Sequence, residues 1–234
     1  MTLTLTVSDE VRALAPGFTH VAVEAYGLTN GPTTEASSAL LDDAARRLAA
    51  RLDGRAPHED PHMAAWREVY TAFGSKPSRT RNSAEALAKR ALSDTGLPRV
   101  NVLVDVYNAI SVAHLIPVGG EDLDLIQGGM RLVRATGDED FVTVARGEET
   151  VEHPDAGEVV WCDGAGVTCR RWNWRQGPRT RLTEGTVSGL FLLESLAPMP
   201  VAEAEAAAAE LAELLEKFSP GARITVHAPH SAAA

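Results

Sequence analysis

Residues 169–183 read CRRWNWRQGPRTRLT. They gather five arginines (Arg170, Arg171, Arg175, Arg179, Arg181) and two of the chain's four tryptophans, Trp172 and Trp174, around Asn173. Such a stretch offers two-point binding of a carboxylate or phosphate by arginine forks, beside an amide that can read a polar edge. Taken as a strand, it puts Arg171, Asn173 and Arg175 on one face and Arg170, Trp172, Trp174 and Gln176 on the other. In one reading the first face lines a site. In the other the tryptophans are core and the arginines are rim residues paired with acidic helices. Burial of each ring is worth on the order of 2–3 kcal/mol, which turns Trp172 and Trp174 toward the core.

A second cationic cluster, Lys76, Arg79 and Arg81, lies in FGSKPSRTR. It precedes a helix whose start is marked by Asn82 and, three residues on, Glu85. Cations at a helix N-terminus oppose the helix dipole, and a bound anion would relieve that conflict. The alternative is a solvated loop.

Other familiar chemistry is missing. The chain has no GxxxxGK[ST], no GxGxxG and no GxSxG. His58 and His62 are separated by Pro61, which reads as a solvated loop, and His227 and His230 sit near a loose end. Asp138, Glu139 and Asp140 read as a turn. Cys162 and Cys169, set loosely across a hairpin, fall short of a zinc site. No metal or cofactor is expected, and no Ser, Cys or His stands beside an obvious base.

The elements that must position these residues follow from periodicity. TLTLTV and THVAVEAYGL alternate as strands, with a short helix between them capped by Ser8. Residues 35–53 and 63–73 are helical, as is the segment from Ser83 to about Ser93. In VNVLVDVYNAISVAHLIPVGGEDLDL the first half reads as a buried helix and the second, from His114, as a strand. MRLVRA, FVTVA, EVVWCD and VTCRRWNWRQ are strands, the last two joined at DGAG. EGTVSGLFLLESL and residues 201–218 read as helices, ARITVHA as a closing strand and HSAAA as a frayed tail. One domain over 1–234 is the simplest account.

The 234 residues carry a formal net charge of -10, with a pI near 5.2. That balance argues against non-specific nucleic-acid binding while leaving room for a local basic patch. The N-terminus lacks the marks of a signal peptide and no apolar run is long enough to span a membrane. The expectation is a cytoplasmic protein, with no membrane partner and no indication of oligomeric state.

In order along the chain, PGFTHVAVEAYGL, VYTAFGSKPSRTRNSAEALAKRAL, LPRVNVLVDVYNAISVAHLIPVGGEDLD, GEVVWCDGAGVTCRRWNWRQGPRTRLTEGT and LFLLES resemble the tRNA-editing domain of the beta chain of phenylalanyl-tRNA synthetase. The match is closer to its free-standing relatives and covers about residues 15–196. The resemblance implies a three-layer α/β (α+β) fold with a sandwich-like mixed or antiparallel sheet flanked by helices. It implies a pocket that takes the 3′ end of a mischarged tRNA and hydrolyses its aminoacyl ester with a positioned water. Asn108 and Pro117 match pocket residues, and Glu194 matches the glutamate that contacts the substrate amino group. Tyr107 stands where the family has a threonine, Gly119 where it has a histidine, and RWNWRQGPRT replaces a glycine-rich loop. Arg171, Asn173 and Arg175 would stand in for lost pocket groups, with Asn173 and Arg175 acting beside Asn108 and Glu194 and with Lys76, Arg79 and Arg81 gripping acceptor-end phosphates. The partner implied is a tRNA acceptor end or aminoacyl-tRNA. The alternative is an enzyme or binding protein for a small amino-acid-like metabolite on the same fold.

Overall fold

The computed structural model describes residues 4–145 and 147–231. At its centre β2 (Thr19–Tyr26), β3 (Val118–Asp122), β10 (Ser188–Ser195) and β11 (Arg223–Val226) form an antiparallel sheet in the order β11-β2-β10-β3. The short β12 (His230–Ser231) also pairs with β2, so the expected frayed tail begins as a paired strand; residues 232–234 lie outside the described residues.

A second sheet runs β1 (Leu5–Val7), β4 (Met130–Arg134), β7 (Val159–Cys162), β8 (Val167–Arg170), β9 (Arg175–Gln176). Only its β1–β4 pair is parallel. A separate ribbon of β5 (Phe141–Ala145) and β6 (Glu148–Glu152) lays Phe141 on the outer side of this sheet, against Val160 and Val167.

The helices are α1 (Asp9–Leu14), α2 (Glu35–Leu52), α3 (Pro61–Ala72), α4 (Ser83–Ala91), α5 (Val102–His114) and α6 (Val201–Phe218). Their starts follow side-chain capping: Ser8 accepts from the Val11 N–H, Thr34 from Ser37, Asn82 from Glu85 and Asn101 from Val104. The result is a mixed α+β sandwich. One face of the central sheet packs on α5 and α6 through Val21, Val23, Phe191, Leu193, Leu103, Ile110 and the alanine stripe of α6. The other face, with Ala22, Leu190 and Leu192, meets Leu132 and Trp161 of the second sheet together with Trp66 and Tyr70 of α3.

The segment EGTVSGLFLLESL is therefore a strand and not a helix. Leu190 and Leu192 enter one core while Phe191 and Leu193 enter the other, so all eight residues of β10 are buried. A strand buried on both faces has no polar alternation, and its continuous apolar run has no readable period. The Cys162/Cys169 pairing also fails: Cys169 lies opposite Trp161 and Cys162 opposite Val167.

Antiparallel registry decides which residues can share a site. Glu121 pairs with Leu190 and Gly119 with Leu192, so these four and Glu194 project from the face toward the second sheet. Between them Gly120 looks the other way. A Cβ there would stand 2.9 Å from both Leu182 Cδ1 and Tyr107 Cε1. Gly120→Ala is expected to destabilise the protein by about 1–3 kcal/mol through overpacking, whereas Gly119→Ala, whose Cβ meets nothing within 4 Å, leaves the denaturant midpoint unchanged.

Candidate functional site

The chain does not run straight through Arg170–Arg175. Arg171 (φ 46°) and Trp172 (φ 66°) take up left-handed backbone, and residues 171–174 turn between β8 and β9, whose register sets Arg170 opposite Arg175. Such conformations are unfavourable for residues with a Cβ and persist only where the surroundings hold them. Here the holding groups are on hand. The Trp172 N–H donates to the Val159 carbonyl at 2.6 Å, and the Arg171 N–H donates to Glu158 Oε1 at 3.0 Å. Arg170, 6% exposed, forms a two-point pair with Glu158, itself 2% exposed, at 2.9 and 2.8 Å, and reaches Glu152 at 2.8 Å.

Strand alternation therefore does not apply to this stretch, and the expected division of faces is corrected. Trp172 and Asn173 both point inward to one acceptor, Glu194 of β10. Glu194 Oε1 accepts from Trp161 Nε1 (2.9 Å) and Trp172 Nε1 (3.0 Å), and Oε2 accepts from Asn173 Nδ2 (2.9 Å). Asn173 Oδ1 accepts from the Tyr70 hydroxyl at 2.8 Å. Trp172 is thus core and site at once. Trp174 is half-buried on the cavity wall, with the Arg171 and Arg175 guanidiniums 4.8 and 5.6 Å from its ring centre. Neither arginine lines the cavity. Arg171 pairs with Glu158 and Asp155, and Arg175 with Glu152, so both brace the turn from outside.

The cavity of about 350 Å³ lies between the two sheets and α4. Tyr107, Asn108 and Gly119 line it, and so do Glu121, Trp161, Ser83, Cys169 and Gln176, which sequence reasoning missed. Trp161 and Glu121 carry no local signal, because their place is fixed by cross-strand registry. Gly119 leaves room where a side chain would project. Pro117 does not line the cavity; its carbonyl accepts the Glu194 N–H at 2.9 Å and fixes that residue's height on the sheet. Burial raises the Glu194 carboxyl from an ordinary 4.5 to about 7, against its three hydrogen bonds, which lower it. Burial also drives the Cys169 thiol well above its usual range, which leaves it a poor nucleophile, and the Ser83 hydroxyl has no hydrogen-bond partner to act as base.

Beyond the rim runs a groove lined by Arg79, Arg81, Lys89, Arg90 and Ser93. It shares Ala86, Arg90 and Trp174 with the cavity. Lys76 does not line it. Arg81 is held by Glu85 in the first turn of α4, at 3.3 Å, so the helix supplies its own counter-charge there. Arg79, Lys89 and Arg90 make no ion pair among the described residues. His62, expected in a solvated loop, is buried on α3. Its Nδ1 donates to the Leu115 carbonyl (3.1 Å), and Nε2 accepts from Trp66 Nε1 (3.0 Å) and the Leu196 N–H (3.2 Å). Burial lowers its pKa to about 4, and it serves as a neutral brace.

These features define an α+β sandwich protein with a cavity built on a buried carboxyl and opening beside a cationic groove. The chain belongs to the B3/4 domain family, which matches residues 65–221, and is a relative of the domain of that type in phenylalanyl-tRNA synthetase beta subunits. Among solved structures it is similar to an N-terminal fragment of the phenylalanyl-tRNA synthetase beta subunit from Pyrococcus horikoshii. The identity is 14% and the TM-score 0.47, with 96% of this chain and 50% of that fragment covered. The chain thus spans about half the length of that fragment. A search of curated proteins finds no match. No helix among the described residues is long and apolar enough to cross a membrane.

Two outcomes test this geometry. Glu158→Ala removes the buried two-point partner of Arg170, leaving it Glu152 alone, and should cost about 3–5 kcal/mol in chemical denaturation. Glu194 gives a pH signature. Its folded pKa lies above the unfolded value, so the folded state keeps a proton that the unfolded chain releases between about pH 4.5 and 7. Its contribution is greatest below that window and is lost as pH rises through it. The unfolding free energy of the wild type minus that of Glu194→Gln should fall by about 3 kcal/mol from pH 4.5 to 7.5, and a flat difference would mean that Glu194 is ionised throughout.

Proposed function

We propose that this protein hydrolyses the ester of aminoacyl-tRNA in trans. The aminoacyl group would enter the cavity and the acceptor-end phosphates would lie along the groove. One observation carries the reading: a cavity walled by the buried carboxyls Glu121 and Glu194 shares Trp174 and Arg90 with a groove in which Arg79, Lys89 and Arg90 form no ion pair among the described residues. An ester with an ammonium at one end and phosphates at the other matches that polarity. Kinship to a tRNA synthetase domain supports it further.

Of the roles open to Glu194, holding the attacking water fits its surroundings best. A carboxylate has about four acceptor positions. Three are filled by Trp161, Trp172 and Asn173, which leaves one. A pKa near 7 suits a group that takes a proton and returns it at neutral pH. The water oxygen bonds to the ester carbonyl carbon as its proton passes to Glu194. The bond from that carbon to the ribose oxygen then breaks, and the ribose oxygen takes the proton. Free amino acid and tRNA leave. The Asn108 amide, on the same cavity wall, orients the carbonyl or the water.

The second reading, a small amino-acid-like metabolite that uses the cavity alone, is favoured by the net charge of -10. A panel of mischarged tRNAs beside free amino-acid esters separates the two. On aminoacyl-tRNA, Glu194→Gln should lose at least tenfold in turnover with the fold intact. Replacing Arg79, Lys89 and Arg90 by Ala should flatten the salt dependence of tRNA binding by roughly one unit per lost phosphate contact. Turnover of free esters with no salt-dependent tRNA binding would favour the metabolite reading, and full activity in Glu194→Gln would remove that residue from the chemistry.

A further inference from the structure

Glu121 takes no part in the steps above, yet it forms part of the cavity wall. It is 5% exposed, and its Oε2 has no hydrogen-bond partner. β3 delivers it there because its cross-strand partner Leu190 sits on the face turned to the second sheet. No donor among the described residues stands within hydrogen-bond distance of that oxygen, although the Thr180 hydroxyl and the Gln176 amide lie near the carboxyl. The Gln176 amide donates to the Gly120 carbonyl at 2.7 Å, and the Thr180 hydroxyl has no hydrogen-bond partner of its own. Arg179, a cation whose field reaches Glu121, is already held by Asp163 through contacts of 2.9 and 2.6 Å.

An isolated buried carboxylate is costly, and the group responds by keeping its proton. Burial raises the Glu121 carboxyl to about 8, against the nearby Thr180 hydroxyl and Gln176 amide, which lower it. The contrast with Glu194 is one of spare capacity. Glu194 has one acceptor position open, whereas Glu121 has a whole oxygen without a donor. Arg90, at the exposed rim, is the cation among the lining residues.

We propose that Glu121 is the ammonium-binding group of this cavity, pairing with a cationic nitrogen of the ligand while Glu194 holds the water. The inference rests on the cavity being an amino-acid site. The ammonium has two possible sources, the α-amino group or an amine at the end of a side chain, and the chemistry of recognition is the same for both. When the cation arrives Glu121 ionises, its proton leaving to solvent, and the orphaned oxygen gains its donor.

Calorimetric titration of the full chain with four probes tests this: L-lysinamide, L-norleucinamide (α-ammonium only), Nα-acetyl-L-lysinamide (side-chain ammonium only) and Nα-acetyl-L-norleucinamide (neither). In the wild type, removing the recognised ammonium should weaken binding at least tenfold. Loss on acetylation identifies the α-amino source, and loss with norleucinamide the side-chain source. Glu121→Gln should reduce that preference to below threefold, and Glu194→Gln should retain it. Glu121→Leu, which removes the orphaned acid altogether, should also lose the preference and melt no lower than wild type. The proposal is overturned if the doubly blocked probe binds as well as the others, if no probe binds, or if the preference survives in Glu121→Gln and Glu121→Leu. An intact preference in a protein that cleaves no aminoacyl-tRNA would sink the ester reading alone; ester cleavage with no ammonium preference would sink the Glu121 assignment alone.

Discussion

The carboxyl of Glu194 joins the two halves of the sandwich. It stands on β10 in the central sheet, while its three donors belong to the second sheet and the turn at its edge: Trp161 on β7, and Trp172 and Asn173 between β8 and β9. Each donor is buried, and each would be left unsatisfied without this acceptor. Tyr70 extends the network to α3 through Asn173. The cavity is the space left beside this junction. Its geometry is therefore as rigid as the packing of the sheets themselves, and a site on such elements holds its groups more closely than one on a free loop.

The arginine-rich stretch of an acidic chain is explained by what the turn requires. Left-handed backbone at Arg171 and Trp172 aims an indole N–H and an amide at one carboxyl, which a straight strand cannot do from adjacent positions. The strain is offset from outside. Glu158 receives Arg170, Arg171 and a backbone N–H, and Glu152 receives Arg170 and Arg175. The Arg170–Glu158 pair is buried on both sides; such a pair is strongly destabilising when halved and close to neutral when whole, so its value lies in fixing one conformation. The cations available to a ligand are elsewhere, on α4 and the loop before it.

Much of the scaffold was legible in the sequence. Ser8 and Asn82 announced their helices by capping, and the change from helix to strand between α5 and β3 falls near the expected His114, although periodicity alone does not decide so apolar a run. β10 was not legible, because burial on both faces erases alternation, and neither was the hairpin strand β6, whose EETVE carries three acids and little apolar signal. At the site, Asn108, Asn173 and Glu194 came from motif resemblance and residue chemistry. The roles given to Arg171 and Arg175 failed for a local reason, since two positive φ angles reverse the facing that alternation assigns. Glu121 and Trp161 could be found only through registry, in the pairs Leu190–Glu121 and Trp161–Cys169.

The cavity stands in opposition to the rest of the chain's energetics. A protein of net charge -10 gains nothing in stability by burying two of its acids where neither forms an ion pair among the described residues. One of the two, Glu194, is recovered as a structural acceptor, and its cost is offset by three hydrogen bonds. The other is not. Conflicts between local chemistry and folding stability concentrate where function requires them, and this one lies at the wall of a cavity that opens beside unpaired arginines and a lysine. Acids thus line the cavity and cations line the groove, with Trp174 between them. A ligand matched to both must itself be dipolar over about the same span, cationic where it is enclosed and anionic where it meets solvent. An aminoacyl ester of a phosphate-bearing carrier, the substrate proposed above, has that form.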